Sequence, residues 1–508
     1  METSTTSTQF ALPPLLERAY QRAQQLQRPV LARLPAHHPW KDPWAIATIA
    51  AQSGEFATLW ADPDRRFEAV GIGEADRVCV HGAQRLSRLQ RALQQRGEDA
   101  IAHETQRALP LWFGGFAFQE NASAHGDDDT WRAWREDSFV THEITALRAD
   151  NQSHLVLTIR VDPGAARAHV QQQYERLLGI VASIRAISGS APAQAPIALD
   201  FHDDQGRDGW LRQVDAARDA IHAGDLQKVV LARRIRARWP DQRTDVPAPL
   251  RILPALENLR ARYAHCTTFA IVTPADDAGG AQAFFGATPE LLIARQADRV
   301  RTMALAGTTR RGDTPEDDRR REYALLASEK ERTEHQLVVQ DIVESLATID
   351  ITVRPSPAPD VVSFPNVHHL CTPIHAPAPE HVGILEIAQA LHPTPAVCGT
   401  PGDAAYAWLV DKEPLDRGRY AGGVGWLNDQ MEGRISVALR TALATDDGVS
   451  AFAGAGIVDG SNAEHEWEET YVKLATIRDA FQPSDEPTAD TSHAGADPTP
   501  ATSAKDRP

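Results

Sequence analysis

The stretch Ala220-Ile-His-Ala-Gly-Asp-Leu-Gln-Lys228-Val-Val-Leu-Ala-Arg233 joins an amphipathic run to a short apolar run. Gly224-Asp225 is a helix-stop signal, and Val229-Val-Leu-Ala232 has the composition of a buried strand. A lysine therefore stands directly before a buried strand. The stretch alone favours a lysine whose stem packs on the strand while its ammonium group reaches water.

Lysine is scarce in this chain, which makes each of its positions informative. The 52 Lys and Arg residues include only Lys41, Lys228, Lys330, Lys412, Lys473 and Lys505 as lysines. Arginine keeps its proton in proteins, whereas lysine can lose its proton when it is desolvated or lies near other cations. Lys228 is therefore a candidate base.

The composition is that of an ordinary globular protein, with 42% hydrophobic and 24% charged residues. A formal net charge of -17 makes nucleic acids and anionic membranes poor partners. The four cysteines have no metal-ligand spacing, which indicates free thiols in a reducing compartment. The N-terminal residues do not resemble a secretory signal, and no apolar run is long enough to span a bilayer. We therefore expect a soluble, cytoplasmic protein.

Composition also divides the chain into three regions. Residues 1–195 mix helical patterns with short strands, and we expect them to pack on a catalytic region at residues 196–482. The segment Gly189–Pro196 marks the boundary. Residues 483–508 lack large apolar side chains and are predicted to form a disordered tail, and the first ten or so residues are also expected to be loose. The proline-rich segment Pro240–Pro254 is predicted to be a surface insertion.

Apolar periodicity predicts the main elements. Strands are predicted at Val78–Val80, Trp112–Phe118, His154–Arg160, Phe269–Val272, Ala283–Phe285 and Ser450–Ala453. Helices are predicted at Leu15–Leu26, Leu86–Gln95 and Arg320–Ile349, and from the N-cap residues Ser461-Asn462 to about Phe481.

Two of these helices show a carboxylate pair at the same spacing. Glu331 and Glu334 share one face of the first helix, and Glu466, Glu469 and Lys473 share one face of the second. Together the pairs could form an oxygen-rich site for a hard cation such as Mg²⁺. The spacing alone favours two solvated acidic faces.

Two further segments invite a functional interpretation. The glycine-rich run Ser450–Gly460 follows a strand and precedes a helix, but its third glycine falls late and no βαβ unit follows, so a dinucleotide site is rejected. We expect a loop there whose backbone amides approach a small anion. The run Phe285–Leu292 is predicted to be a strand and a kink, with Glu290 then opening a helix.

Taken together, the motifs resemble those of the chorismate-utilising enzymes, which share the fold of anthranilate synthase component I. The resemblance is strong over residues 205–480 and weaker at Leu111–Phe118. Its motifs are Gly224–Arg233, Phe285–Leu292, Leu305–Thr308, Glu329–His335, Val367–Leu370, Pro393–Pro401, Asp416–Trp426, Val437–Arg440, Gly454–Val458 and Glu466–Lys473. The resemblance implies an α/β fold of the α+β type, with large antiparallel-rich β-sheets flanked by helices.

Position 228 distinguishes the chemistries within this family. Members that use water as the nucleophile carry lysine there, whereas members that use ammonia do not. The resemblance therefore implies that Lys228 deprotonates water for attack at C2 of chorismate. Since a lysine pKa of about 10.4 is too high for a base at neutral pH, burial beside Val229 would have to lower it. Glu290 would protonate the departing C4 hydroxyl, and it would need a raised pKa to hold its proton.

The same resemblance implies a Mg²⁺ cofactor and a substrate site. Glu334 and Glu469 would ligate Mg²⁺ directly, and Glu331 and Glu466 would contact it through water. The implied substrate-binding residues are Thr308, His369, Tyr420, Arg440, Gly454, Gly456 and Lys473. Arg440 would bind the carboxylate of the enolpyruvyl arm in a bidentate contact.

The resemblance thus implies an isomerase that converts chorismate reversibly into isochorismate by water addition at C2 and loss of the C4 hydroxyl. Chorismate is the expected partner, and we expect a monomer without a redox cofactor. A salicylate-forming member, which goes on to eliminate pyruvate, is the alternative. Lys228 speaks against an ammonia-using member, and the set Lys228, Glu290, Glu334 and Glu469 speaks against an inactive scaffold of the same fold.

Overall fold

The computed structural model describes residues 12–37, 42–63, 66–120, 130–149, 151–186, 195–240, 246–276 and 279–482. The predicted loose N-terminal residues, most of the predicted boundary Gly189–Pro196 and the predicted tail at residues 483–508 lie outside the described residues. None of the helices within the described ranges combines the length and the apolar character needed to cross a bilayer.

The strands form two sheets. In chain order the strands are β1 (Val30–Ala36), β2 (Ala57–Ala61), β3 (Phe67–Ile72), β4 (Asp76–Val80), β5 (Trp112–Phe116), β6 (Asp137–Thr141), β7 (Ile144–Ala149), β8 (Gln152–Val161), β9 (His202–Asp203), β10 (Lys228–Arg238), β11 (Thr267–Thr273), β12 (Gln282–Thr288), β13 (Leu291–Gln296), β14 (Arg299–Arg310), β15 (Asp360–Ser363), β16 (Val367–Pro377), β17 (Gly399–Thr400), β18 (Gly423–Leu427), β19 (Gly433–Val437), β20 (Thr441–Thr445) and β21 (Gly448–Ile457).

Helices flank both sheets. In chain order they are α1 (Pro14–Leu26), α2 (Ala47–Gln52), α3 (Arg85–Asp99), α4 (Glu104–Arg107), α5 (Arg167–Ala186), α6 (Gly206–His222), α7 (Ala248–Arg251), α8 (Leu253–Arg262), α9 (Pro315–Ala327), α10 (Glu329–Ala347), α11 (Ile384–Leu391), α12 (Gly402–Lys412) and α13 (Ala463–Ala480), with short 3-10 helices at Pro43–Ile46 and Arg132–Trp134.

The strand pairs within both sheets are antiparallel. The first sheet has the order β1-β8-β7-β3-β2-β11-β12-β20-β21-β10-β17, with β9 beside β10, and the second has the order β15-β16-β14-β13-β19-β18-β5-β6-β4. Each sheet contains strands from both sides of residue 195, because β2 pairs with β11 and β5 pairs with β18. The predicted α+β fold with large antiparallel sheets is confirmed.

Both faces of the first sheet are buried. Leu59 and Trp60 of β2 belong to different hydrophobic cores, as the two-residue alternation of a strand requires. The core with Trp60 also contains Ile435 of β19, so it lies between the two sheets. The core with Leu59 contains Leu16 of α1 and Ile477 of α13, so helices cover the other face. The first sheet is therefore covered by the second sheet on one face and by helices on the other.

The prediction of one long helix at Arg320–Ile349 is wrong, because the chain forms two helices there. Ser328 has an extended backbone conformation between α9 and α10. Its hydroxyl accepts a hydrogen bond from the Glu331 amide at 3.3 Å, so it is the N-cap of α10. The break places Glu331 in the first turn of a new helix.

The prediction of a surface insertion at Pro240–Pro254 is wrong for its C-terminal part. This part forms α7 and the start of α8, and Ala248 and Ile252 are buried in the core beside α1 and α13. The prolines misled the prediction, since proline is also favourable in the first turn of a helix, where Pro249 and Pro254 lie.

A buried ion pair ties β1 to the loop after β18. Arg33 and Asp429 form a bidentate contact at 2.7 and 2.8 Å, and neither side chain is exposed. The indole of Trp112 donates to Asp429 at 3.1 Å, and Arg33 donates to the Thr141 hydroxyl at 2.9 Å. These bonds satisfy both charges inside the protein.

We predict that Asp429→Ala lowers the free energy of unfolding by about 3–5 kcal/mol, because it leaves a buried guanidinium without a partner. Asp162→Ala is the matched control, since it removes an exposed partner of Arg160 and should cost less than about 1 kcal/mol. Urea unfolding of the two variants and the wild type measures the difference. Equal, small losses for both variants would contradict the prediction.

Candidate active site

A cleft that is open to solvent lies where β10 begins and β21 ends. It brings together most of the site residues that the sequence predicts. Those that line it are Lys228, Glu290, Thr308, Glu334, His369, Tyr420, Arg440, Gly454, Gly456, Glu469 and Lys473. Glu331 and Glu466 are outside the lining, on the same helices as Glu334 and Glu469.

Lys228 is the first residue of β10, and its amine is buried in the cleft. The strand pairs with β21 on one side, while the short β17 places Thr400 opposite Lys228 on the other. The side chain is only 3% exposed, and its Nζ lies 2.7 Å from Oε1 of Glu334. A Cβ at Gly456 would lie 2.8 Å from Cε of Lys228, so glycine leaves the space that the lysine stem occupies. The ammonium group does not reach water as the local sequence suggested.

Glu290 lies in the turn between β12 and β13, so the prediction that it opens a helix is wrong. Its backbone carbonyl accepts from the amide of Val437 at 3.0 Å, which fixes the turn against β19. The side chain is buried, and burial raises the pKa of Glu290 to about 7, although the positive charges of Lys228, Lys473 and Arg440 each lower it. A substantial fraction of this carboxyl group is therefore protonated at neutral pH.

His369 forms a hydrogen-bonded group with two other cleft residues. Its Nδ1 lies 2.9 Å from the hydroxyl of Thr308, and its Nε2 lies 3.5 Å from Nη2 of Arg440. Since a guanidinium can only donate, Nε2 accepts and Nδ1 carries the proton. Burial, reinforced by the charge of Arg440, holds the pKa of His369 well below its ordinary value of 6.5. The imidazole is therefore neutral at pH 7.

Arg440 is a buried cation that has no anionic partner among the residues that the structure describes. Its backbone has a φ of 53°, in the left-handed region that few non-glycine residues adopt, and its Nη1 donates to the hydroxyl of Thr476 at 3.3 Å. Within the described ranges no carboxylate forms an ion pair with it. Since a buried unpaired charge is costly, the guanidinium indicates a binding place for an anion.

Lys473 links the middle of α13 to the glycine-rich part of β21. Its Nζ donates to the carbonyl of Gly454 at 2.9 Å and lies 2.7 Å from Oε1 of Glu469. The predicted glycine loop is mostly strand, since β21 continues to Ile457 and pairs residue by residue with β10. A Cβ at Gly454 would lie 3.1 Å from the hydroxyl of Tyr420, so a side chain there would crowd the cleft.

The four predicted metal ligands on α10 and α13, which are all glutamates, crowd negative charge into one region. Burial, followed by the charge of Glu334, raises the pKa of Glu331. Burial, followed by the charge of Glu469, raises the pKa of Glu466 to about 7. Burial also acts to raise the pKa of Glu334, but the charge and hydrogen bond of Lys228 outweigh it and the pKa is lowered.

The chemistry of these donors fits Mg²⁺, which prefers carboxylate oxygens and relieves repulsion between them. Two of the carboxylates, Glu334 and Glu469, are each paired with a lysine. In the part of the chain that the structure describes, no three Asp, Glu, His or Cys side chains are grouped so as to hold a metal ion. The chemical type of these donors favours a divalent cation. Their positions in this structure do not by themselves form a metal site.

One buried ion pair beside the cleft did not emerge from the sequence. Arg417 lines the cleft and forms two hydrogen bonds with Glu413, at 2.5 and 2.9 Å. Where the short β17 ends, this pair binds the free edge of β10: Arg417 donates to the Val230 carbonyl at 2.5 Å, and Glu413 accepts from the Ala232 amide at 2.7 Å. The pair thus takes the place of a neighbouring strand and holds the strand that carries Lys228. The i, i+4 spacing of the two charges was a visible signal, but it is typical of surface helices.

The contacts of a second arginine, Arg233, position α13. The guanidinium of Arg233 on β10 lies 3.3 Å from the ring centroid of Trp467, and it donates to the hydroxyl of Thr470 at 2.7 Å. Its Nε pairs with Asp203 at 2.5 Å. Because Trp467 stands next to Glu466, this contact sets which face of α13 is turned to the cleft.

Comparison with known proteins agrees with this architecture. The family model described as chorismate binding enzyme matches residues 18–482. The chain is 33% identical over 474 residues to the salicylate biosynthesis isochorismate synthase of Pseudomonas aeruginosa, an alignment that covers 93% of this chain and 94% of that protein. It is 30% identical over 434 residues to the isochorismate synthase MenF of Bacillus subtilis, covering 83% and 87%.

Two solved structures share the fold. The menaquinone-specific isochorismate synthase of Escherichia coli superposes with a TM-score of 0.72 at 24% identity, covering 92% of this chain and 100% of that chain. Anthranilate synthase component I of Streptococcus pneumoniae superposes with a TM-score of 0.61 at 19% identity, covering 81% and 92%. The predicted likeness to the anthranilate synthase component I fold is confirmed. From its match over residues 18–482 and its similarity to full-length relatives, the chain belongs to the family of chorismate-binding enzymes.

Proposed function

We propose that this protein is an isochorismate synthase, which adds water at C2 of chorismate and releases the C4 hydroxyl. The observation that carries the proposal is the buried amine of Lys228 in the same cleft as the buried carboxyl group of Glu290. The proposal is supported by the names of the Pseudomonas aeruginosa and Bacillus subtilis relatives, both isochorismate synthases. The resemblance within the family adds that lysine at position 228 accompanies water as the nucleophile.

The cleft offers cationic and polar groups for a dianionic substrate. Arg440 has no anionic partner among the described residues, so it is the proposed partner of the carboxylate on the enolpyruvyl arm. Lys473 and Tyr420 also line the cleft. His369 is neutral and already hydrogen-bonded to Thr308, so these two residues are proposed to contact the ring near the C4 hydroxyl.

Lys228 is the proposed general base. Its Nζ forms an ion pair with Oε1 of Glu334 at 2.7 Å. A base must be neutral, so this pair has to separate before Nζ can take a proton from water. The Glu413–Arg417 pair fixes β10 while this exchange takes place, because it holds the strand through backbone atoms and does not contact the amine.

Glu290 is the proposed general acid. Its pKa of about 7 lets the carboxyl group carry a proton at neutral pH and deliver it to the departing C4 hydroxyl. The positive charges around it also favour the carboxylate that remains after the transfer. Burial and the neighbouring cations thus balance the two protonation states of the same group.

Mg²⁺ is the proposed cofactor, with Glu334 and Glu469 as direct ligands and Glu331 and Glu466 contacting it through water. When bound, Mg²⁺ would neutralise these carboxylates and hold the ring carboxylate of chorismate. Helices α10 and α13 supply all four glutamates. Arg233 positions α13, and Ser328 positions the first turn of α10.

The product decides between this proposal and a salicylate synthase. Purified protein incubated with chorismate and Mg²⁺ should form isochorismate up to an equilibrium mixture, without pyruvate or salicylate. Chromatography resolves the two acids, and a coupled lactate dehydrogenase assay measures pyruvate. Pyruvate formed in equal amount to the chorismate consumed would contradict the proposal and establish the salicylate-forming alternative.

We predict that Lys228→Ala and Lys228→Arg each lower kcat by about 10²–10⁴-fold, the usual range for loss of a general base. Arginine can still pair with Glu334 but cannot give up its proton near neutral pH, so it separates the charge of residue 228 from its basicity. Binding of chorismate and Mg²⁺ should remain largely intact in both variants, as titrations would show. A near-normal rate for Lys228→Arg would refute the base assignment.

We also predict a pH dependence set by Glu290. Because its pKa is raised to about 7 and the proposed active form is protonated, kcat/KM should fall about tenfold per pH unit above about pH 7. Glu290→Gln should lower kcat by about 10²–10⁴-fold and abolish this alkaline limb. The measurement is kcat/KM between about pH 5.5 and 9 for both proteins. An alkaline limb that persists in Glu290→Gln would assign it to another group.

A further inference from the structure

Three of the four lysines that the structure describes lie beside glutamates of α10 and α13. Lys228 pairs with Glu334, and Lys473 pairs with Glu469. The third, Lys330, lies 3.9 Å from Oε1 of Glu331. In a chain that otherwise uses arginine for nearly all its cations, this concentration requires an explanation beyond surface charge.

Helix stability does not explain Lys330. It lies in the first turn of α10, where the backbone dipole disfavours a cation, and its neighbours Glu329 and Glu331 are the residues that this end of a helix favours. Its side chain is 62% exposed, and its contact with Glu331 is too long and too exposed to contribute much stability. The burial that accounts for Lys228 therefore does not apply to it.

The ammonium group of Lys330 nevertheless lies close to the two glutamates of α10. Its Nζ is 3.9 Å from Oε1 of Glu331, and Glu334 follows one helical turn later on the same face of α10. Lys330 is thus an exposed cation at the rim of the acidic region. Unlike Lys228 and Lys473, it does not line the cleft.

We propose that Lys330 is a rim cation that weakens the binding of Mg²⁺ to the glutamates and favours the binding of dianionic chorismate. This inference rests on the proposed function, since it concerns both of its ligands. A single positive charge must act with opposite signs on a dication and a dianion that occupy the same region. Its effect should decline as salt screens it. Lys330 would therefore lower the affinity for Mg²⁺ and raise the affinity for chorismate without binding either ligand itself.

The test compares Lys330→Gln with Lys330→Arg, which keeps the charge, and with Lys412→Gln. Lys412 is a matched control, because it is 59% exposed, pairs with the acidic residue Asp411 beside it and is absent from the lining of the cleft. Isothermal titration with Mg²⁺ alone gives the metal Kd of each protein. Initial rates at saturating Mg²⁺ give kcat/KM for chorismate. Glu469→Gln, which removes a proposed ligand, should weaken Mg²⁺ binding and calibrates the titration.

At an ionic strength of about 10 mM, Lys330→Gln should bind Mg²⁺ about threefold more tightly and show kcat/KM for chorismate about threefold lower. Both differences should shrink toward zero in about 0.5 M KCl, where the Debye length is only a few ångströms. Lys330→Arg and Lys412→Gln should behave like the wild type. A purely structural role for Lys330 would not move the two affinities in opposite directions.

Unchanged or weaker Mg²⁺ binding by Lys330→Gln, while the wild type binds Mg²⁺ and Glu469→Gln binds it less tightly, would overturn the role of Lys330 alone. Failure of the wild type to bind Mg²⁺ would instead overturn the proposed cofactor, and with it this inference. An equal effect of Lys412→Gln would also overturn the role of Lys330, because it would show that net charge rather than position matters.

Discussion

The contact between Lys228 and Glu334 places an ion pair inside the cleft, with the lysine side chain only 3% exposed, and the surrounding structure is what makes that possible. A buried charge is costly unless it is paired and held in good geometry. β17 and β21 fix the strand that begins at Lys228, and Gly456 leaves room for its stem. Glu290, the proposed general acid, lies in the turn between β12 and β13, which belong to different sheets. The active site is therefore a consequence of how the two sheets meet.

Two buried ion pairs, each between an arginine and a carboxylate, support this arrangement of the active site. Arg33 and Asp429 connect β1 to the loop after β18, which joins the N-terminal strands to the catalytic part. Arg417 and Glu413 replace a missing strand at the edge of β10. Both pairs satisfy their charges with several hydrogen bonds, so they fix positions that apolar packing alone would leave adjustable.

Local sequence patterns were sufficient to predict several of the helices and strands, but they did not predict where each one begins and ends. The apolar run after Lys228 correctly predicted β10, and Asn462 caps α13 as its sequence suggests. The break at Ser328 was missed because the helical periodicity continues through it, and β21 was ended too early because glycine is usually a loop signal. Pairing with β10 over its whole length, a tertiary effect, keeps that strand regular. The cleft itself was predictable only from the family resemblance, since no spacing rule relates Glu334 to Glu469, and the Arg417 pair resembled an ordinary surface contact.

The source of the new hydroxyl oxygen tests the account most directly, because a buried amine that activates solvent requires that oxygen to come from water. Chorismate converted with Mg²⁺ in ¹⁸O-enriched water, and analysed by mass spectrometry before the reverse reaction accumulates, should yield isochorismate with one ¹⁸O at C2. Lys228→Arg should form almost none of this labelled product. Unlabelled isochorismate from the wild-type protein would mean that the C4 oxygen migrates within the substrate, and would contradict the role given to Lys228.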